Sequence, residues 1–136
     1  MKITAATILL VKDDKKGRGQ IAGALDMAGF KVLEADDQVS AQTVLASELP
    51  DLVIIDMGMP EFQGQALMHA IAEEKKWQAL SLLFIADKTM AERAGFSRFG
   101  SDAALSREQL GDQAFLEEIC LQATRATTLS SGDEAE

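Results

Sequence analysis

The sequence predicts an α/β protein in which five short apolar segments alternate with five helical ones. Three observations lead to this fold class. The apolar segments are short and rich in branched side chains, which is typical of strands buried on both faces of a sheet. The helical segments are long enough to return the chain for parallel pairing. No internal repeat interrupts the alternation. We therefore predict a three-layer sandwich, with a parallel sheet between two layers of helices.

The first two strand–helix units occupy the N-terminal third of the chain. Ile8 to Val11 is a short apolar strand, and Lys15 to Ala28 has the apolar stripe of an amphipathic helix. Gly29 suits the C-terminal end of that helix, after which Lys31 to Glu34 restarts as a strand. A second helix is predicted over about Gln38 to Glu48.

The third unit holds the most informative stretch. Leu52 to Ile55 is a continuous apolar run that leads directly into Asp56. A helix over Gln65 to Lys76 follows, and then a buried strand over Leu80 to Ile85. Asp56 would stand at the carboxyl end of a central strand, where open α/β sheets hold their ligands. The run alone is equally compatible with an aspartate that merely opens a turn.

The C-terminal third is predicted to contain a helix, a short strand and a last helix. The helices cover Lys88 to Phe99 and about Gln109 to Thr127, and Asp102 to Leu105 is a weak strand between them. We divide the chain into one domain, residues 1–127, and a small, acidic segment, residues 128–136. That segment is expected to be a disordered tail or linker.

Composition excludes several classes of function. The 136 residues suffice for a single domain with its own core. A formal net charge of -9 argues against nucleic-acid binding by this domain. No apolar stretch approaches the roughly 20 residues that a membrane span needs, and the N-terminus lacks the long apolar segment of a signal peptide. The single Cys120 cannot form an internal disulfide, so we expect a cytoplasmic protein.

Acidic residues gather at the predicted strand ends. Asp13 and Asp14 follow the first strand, and Asp56 ends the third. Carboxylates that converge repel one another unless a cation neutralises them, and Mg²⁺ prefers such oxygen ligands. The backbone carbonyl of Gly58 could turn toward the same ion. The alternative is that Asp13 and Asp14 cap the first helix, and their spacing does not decide between the two.

Four motifs give the chain a more specific resemblance. They are Ile8–Asp14 with Arg18 downstream, Gly29–Val32, Pro50–Pro60 with Gly64, and Gly100–Asp102. From Ile8 to about Ala126 the chain resembles a response-regulator receiver domain, the CheY-like module of two-component signalling. The Pro50–Pro60 motif is the strongest match. The resemblance implies a flavodoxin-like (βα)5 fold with strand order 2-1-3-4-5.

The resemblance also implies roles for individual residues. Asp56 would be the phosphoacceptor, and Mg²⁺ would be held by Asp13, Asp56, the carbonyl of Gly58 and, as a further candidate, Asp14. The phosphoryl donor would be a histidine kinase or a phosphotransfer protein. Output would pass through the predicted helix at 88–99, the strand after it and the last helix. It would reach either a homodimer partner or a fused domain.

The chain departs from the family pattern at four positions. Lys12 stands where the family usually has an acid, and its ammonium would weaken Mg²⁺ binding or pair with Asp56. Ala86 replaces a Ser or Thr hydroxyl that contacts the phosphoryl group. Arg107 replaces the family lysine, and its planar fork is no substitute for a compact ammonium. Ala104 replaces the switch aromatic.

Three functions remain open from the sequence. The first is a receiver with Asp56 as phosphoacceptor in an atypical pocket, which is a signalling module and not an enzyme. The second is a pseudo-receiver that acts by protein interaction or dimerisation without phosphorylation. The third is an aspartyl-phosphate phosphohydrolase, which is disfavoured because Gly58 occupies the place of the second carboxylate that this chemistry needs.

Overall fold

A computed structural model describes residues 6–77, 79–86, 104–106 and 112–132 of the protein. Its sheet has five parallel strands in the order β2-β1-β3-β4-β5, as expected for a flavodoxin-like fold. The strands are β1 (Thr7–Val11), β2 (Lys31–Ala35), β3 (Leu52–Asp56), β4 (Ser81–Ala86) and β5 (Ala104–Ser106). The predicted strands are thus present, with ends that differ by one or two residues.

Four α-helices lie in the described part of the chain. They are α1 (Lys15–Met27), α2 (Gln38–Ser47), α3 (Gln63–Glu73) and the C-terminal helix α4 (Asp112–Gly132). Two short 3₁₀ turns, Pro60–Phe62 and Lys75–Trp77, flank α3. The helix predicted over Lys88 to Phe99 lies outside the described residues.

The two faces of the sheet bury separate apolar cores. Alternate strand residues such as Leu9, Val53 and Phe84 pack with residues of α2 and α3. Their neighbours, such as Leu10 and Ile54, pack on the opposite face with residues of α1 and α4. Every residue of β3 is buried, which explains why its sequence is continuously apolar instead of alternating.

The end of α1 shows why Gly29 occupies its position. Gly29 has a φ of 103°, which glycine adopts readily and other residues do not. Its N–H donates to the carbonyl of Asp26, and the N–H of Phe30 donates to the carbonyl of Leu25. These two bonds form the Schellman pattern that ends a helix. The expectation that Gly29 ends the first helix is confirmed.

The C-terminal helix is longer than predicted. It continues to Gly132, whereas the sequence predicted its end at Thr127 and a disordered segment from residue 128. Each added helical residue gains a backbone hydrogen bond once the helix exists. Residues 133–136 lie outside the described part, so the division into domain and tail stays a prediction.

Within this helix, burial raises the pKa of the Cys120 thiol.

Candidate functional site

The candidate site lies at the carboxyl ends of β1 and β3, which are neighbours in the sheet. Val11 pairs in register with Ile55. The residues that follow them, Lys12 just after β1 and Asp56 at the end of β3, therefore lie side by side. This is the edge at which doubly wound sheets hold ligands. Topology alone therefore brings a cation and a carboxylate together from positions 44 residues apart.

Lys12 and Asp56 form a buried ion pair. The Lys12 Nζ lies 2.9 Å from the Asp56 Oδ2, and the two side chains are only 6% and 7% exposed. The backbone N–H of Gly58 donates to the other carboxylate oxygen, Oδ1, at 2.8 Å. Burial removes both charges from water, and the short contact compensates for the lost hydration. One of the two outcomes that the sequence predicted for Lys12, pairing with Asp56, is thus what the structure contains.

The backbone of Lys12 is fixed on both sides. Its N–H donates to the carbonyl of Ala35 at 3.0 Å. Its carbonyl accepts from Arg18 Nη1 at 2.9 Å, and Arg18 Nε donates to Glu34 Oε1 at 2.9 Å. The lysine is therefore anchored at its backbone and at its ammonium.

The two acids that follow β1 are Asp13 and Asp14. Asp14 is the N-cap of α1, and its Oδ2 accepts from the N–H of Gly17 at 2.8 Å. Asp13 is exposed to solvent. Of the two roles open to this pair of acids, the structure shows helix capping for Asp14. Their roles as metal ligands stay predictions.

Mg²⁺, which the resemblance implies, does not fit this arrangement of side chains. An ammonium already neutralises Asp56 at hydrogen-bonding distance, and a divalent cation beside it would meet that like charge. Within the described ranges, no group of three or more His, Cys, Asp or Glu side chains is arranged to hold a metal ion. The carbonyl of Gly58 as a further ligand also stays a prediction.

The loop after β3 packs tightly against Asp56. A Cβ added at Gly64 would lie 2.8 Å from the backbone oxygen of Asp56 and 3.1 Å from the Cα of Met57. Only glycine lets the first turn of α3 approach the strand end this closely, which gives Gly64 of the strongest motif a physical role.

Two residues of the same loop have left-handed backbone conformations. Glu61 has a φ of 61° and Phe62 a φ of 58°, and Phe62 is 71% exposed. Each such conformation costs a non-glycine residue about 1–2 kcal/mol. Sequence reasoning missed this feature, because neither residue is a glycine or asparagine that would have indicated it.

The other residues predicted for the site are only partly described. Ala86 is buried at the end of β4, beside β3, and its place in the family's hydroxyl position stays a prediction. Ala104 lies in β5, two positions before Ser106, the residue that pairs with Ala86. Arg107 lies outside the described residues, so its predicted role is not tested.

Fold and site together define the class of protein. It is a flavodoxin-like α/β domain with a carboxylate, Asp56, at the carboxyl end of its central strand. Residues 8–107 match the family model of the response regulator receiver domain, and the chain belongs to this family of two-component signalling domains. The family resemblance and the strand order expected from the sequence are confirmed.

Two curated relatives are regulators of transcription by name. The phosphate regulon transcriptional regulatory protein PhoB of Pseudomonas aeruginosa is 32% identical over 82 residues, which cover 60% of this chain and 36% of that protein. The probable transcriptional regulatory protein TcrX of Mycobacterium tuberculosis is 25% identical over 126 residues, which cover 93% of this chain and 54% of that protein. The chain thus spans about a third to a half of these relatives.

Solved structures agree on the fold. The receiver domain of a Francisella response regulator superposes with a TM-score of 0.77 at 17% identity, over 92% of this chain and 98% of that one. A chemotaxis response regulator of Vibrio cholerae gives 0.74 at 21% identity, over 90% and 99% of the two chains. At these identities the likeness supports the fold alone.

Proposed function

We propose that this receiver domain works as a protein-interaction module in which Lys12 serves as a resident cation for Asp56, the acceptor position. The single observation that carries the proposal is the buried ion pair at 2.9 Å. It supports the phosphorylation-independent function over a metal-dependent phosphoryl cycle.

The chemistry of phosphoryl transfer explains why this pair matters. A carboxylate accepts a phosphoryl group when a cation beside it neutralises the charge on the incoming oxygens. The Lys12 ammonium brings one positive charge, whereas Mg²⁺ brings two and can also coordinate the phosphoryl oxygens directly. Ala86 offers no hydroxyl to receive the group. Both features disfavour the transfer of a phosphoryl group to Asp56.

A second candidate function is a receiver that is still phosphorylated. Its support is the place of Asp56 at the carboxyl end of β3 in a chain of this family. In that case Lys12 would move away from Asp56. The residues that would hold Mg²⁺ are Asp13, Asp56, the Gly58 carbonyl and, as a further candidate, Asp14. A histidine kinase or a phosphotransfer protein would be the donor, and Arg107 would contact the phosphoryl group.

One experiment separates the two functions. The protein is incubated with Mg²⁺ and beryllofluoride, a phosphoryl mimic, or with acetyl phosphate, and it is followed by amide NMR and intact mass. We expect no Asp56-dependent change in the wild-type protein at millimolar Mg²⁺. Lys12→Asp, which restores an acid, should allow the mimic to bind, and Lys12→Asp/Asp56→Asn should abolish that binding. A phosphoryl adduct on the wild-type protein that Asp56→Asn removes would refute the proposal and establish the second function.

The output is proposed from the relatives and from the charge of the chain. Two matched relatives are transcriptional regulators of which this chain covers only 36% and 54%. We propose that the domain acts on a fused output domain or a second receiver, through the predicted helix at 88–99, β5 and α4. With a net charge of -9, contact with DNA would belong to that output domain.

The chain belongs to a family of signalling domains. We propose that it is not an enzyme, and Gly58 disfavours the phosphohydrolase alternative. In the part of the chain that the structure describes, no helix is long and apolar enough to cross a membrane. A cytoplasmic location remains our proposal, and fractionation of cells that express the tagged protein would test it.

A further inference from the structure

The first turn of α1 leaves a gap at the point where the Lys12 side chain passes. A Cβ added at Gly17 would lie 2.7 Å from the Cε of Lys12, closer than real Cβ contacts allow. It would also lie 2.7 Å from the Oδ2 of Asp14, the cap of this helix. The backbone of Lys12 is held by Ala35 and Arg18. Its ammonium is held by Asp56 at 2.9 Å, so a shift of the Cε between these two fixed ends would disturb the ion pair.

The other two glycines of α1 provide a contrast. A Cβ added at Gly19 or at Gly23 would meet nothing within 4 Å. Glycine is a poor helix former, so three glycines weaken this helix. Of the three, only position 17 is one where an added Cβ would overlap Lys12, so only there would a side chain disturb the ion pair.

We infer that Gly17 is a positioning residue for Lys12: its missing side chain makes the room through which the ammonium reaches Asp56. The inference deepens the proposed function and rests on the ion pair named there. The position of the resident cation thus depends on two elements. The end of β1 supplies Lys12, and the first turn of α1 supplies the space through which its side chain passes. A chain with Lys12 and a larger residue at position 17 would hold the lysine elsewhere.

Thermal unfolding of matched variants tests the inference. Gly19→Ala improves helix propensity without a contact and should raise Tm by a few degrees, about 4 °C. Gly17→Ala should instead lower Tm. In a Lys12→Ala background, the methyl group introduced at position 17 has no lysine to displace, so the loss caused by Gly17→Ala should fall by at least half. An equal loss in both backgrounds would overturn the inference and leave Gly17 serving only the Asp14 cap.

The second readout observes the ammonium itself. Buried, hydrogen-bonded N–H groups exchange slowly with water, so the Lys12 Nζ should give a protected ¹H–¹⁵N signal. We expect Gly17→Ala to abolish or shift that signal and Gly19→Ala to leave it unchanged. A signal that persists unaltered in Gly17→Ala would refute the positioning role.

The two proposals fail in different ways. If the wild-type protein binds Mg²⁺ with beryllofluoride, the proposed function is wrong, while the ammonium signal and its dependence on Gly17 can still be observed. If the ammonium signal does not respond to Gly17→Ala, the positioning role is wrong, whatever the metal experiment gives.

Discussion

The buried pair of Lys12 and Asp56 gives the sharpest stability prediction. Both side chains are more than nine-tenths buried, and they meet at 2.9 Å as opposite charges. Coulomb attraction at this distance is about 6 kcal/mol for an effective dielectric of about 20. Removing two ions from water costs several kcal/mol each, so the pair contributes little net stability. Removing one partner, however, leaves the other charge buried without this counterion.

We therefore expect Lys12→Met and Asp56→Asn each to lower the free energy of unfolding by about 3 kcal/mol. The double variant should lose much less than the sum of the two, with a coupling energy of at least about 1.5 kcal/mol. In urea titrations with a slope of about 2 kcal/mol/M, each single change would move the midpoint by about 1.5 M.

The chain offers a matched control for this cycle. Lys31 Nζ and Glu48 Oε1 are 4.0 Å apart, and their side chains are 62% and 49% exposed. Exposed pairs of this kind contribute less than about 1 kcal/mol, so Glu48→Gln should leave the midpoint almost unchanged. Losses at Lys12 and Asp56 that simply add would show that the two charges are not coupled, and the assignment of a resident cation would fail.

Three further predictions concern Gly64, the left-handed residues before α3 and the N-terminal cap of α2. Gly64→Ala should lower the free energy of unfolding by about 2 kcal/mol, because its methyl group would overlap the backbone of β3; a midpoint within error of the wild type would contradict that packing. Glu61→Gly and Phe62→Gly each remove left-handed strain from the folded state but add conformational entropy to the unfolded state. We expect each change to raise the free energy of unfolding by about 0.5 kcal/mol. A decrease of more than about 1 kcal/mol would show that these conformations are not strained. Hydrogen bonds from Ser40 hold the pKa of Asp37 below its usual value. The bond from the Ser40 backbone N–H has the larger effect, and the bond from its hydroxyl has the smaller one. This contribution to stability is present above the unfolded pKa and is lost as pH falls through the folded pKa. In carboxyl NMR titrations, Ser40→Ala should raise that pKa only part of the way, because the backbone bond remains.

The strands and their order in the sheet could be predicted from the sequence. The continuous apolar run at 52–55 predicted a strand covered on both faces, and the structure buries all of it. The resemblance supplied the strand order, which periodicity cannot give, because the same strands could be arranged in several orders. It also identified Lys12 as a departure able to change the site, and the ion pair agrees with that.

The features that the sequence did not reveal depend on three-dimensional contacts. A glycine at position 17 draws no notice in a helix that contains two others, and its importance is evident only when the path of the Lys12 side chain is known. The two roles of Asp14 could not be separated by spacing, because an aspartate between a strand and a helix suits both a helix cap and a metal ligand. The helix also extends past Thr127, since a polar sequence can continue a helix that packing has already formed.

The competition between Lys12 and a metal ion follows from how each is held. A free cation must be recruited from solution, whereas the ammonium is tethered to a backbone that Ala35 and Arg18 fix in place. A divalent ion that took over Asp56 would leave a buried lysine without this carboxylate, at a cost of about 3–5 kcal/mol. Each 1.4 kcal/mol is a factor of about ten in affinity, so about 4 kcal/mol weakens binding about a thousandfold. A pocket that would otherwise hold the ion at millimolar concentration would then need molar concentrations. We therefore expect a single lysine, given room by Gly17, to be sufficient to keep Asp56 free of metal at millimolar Mg²⁺.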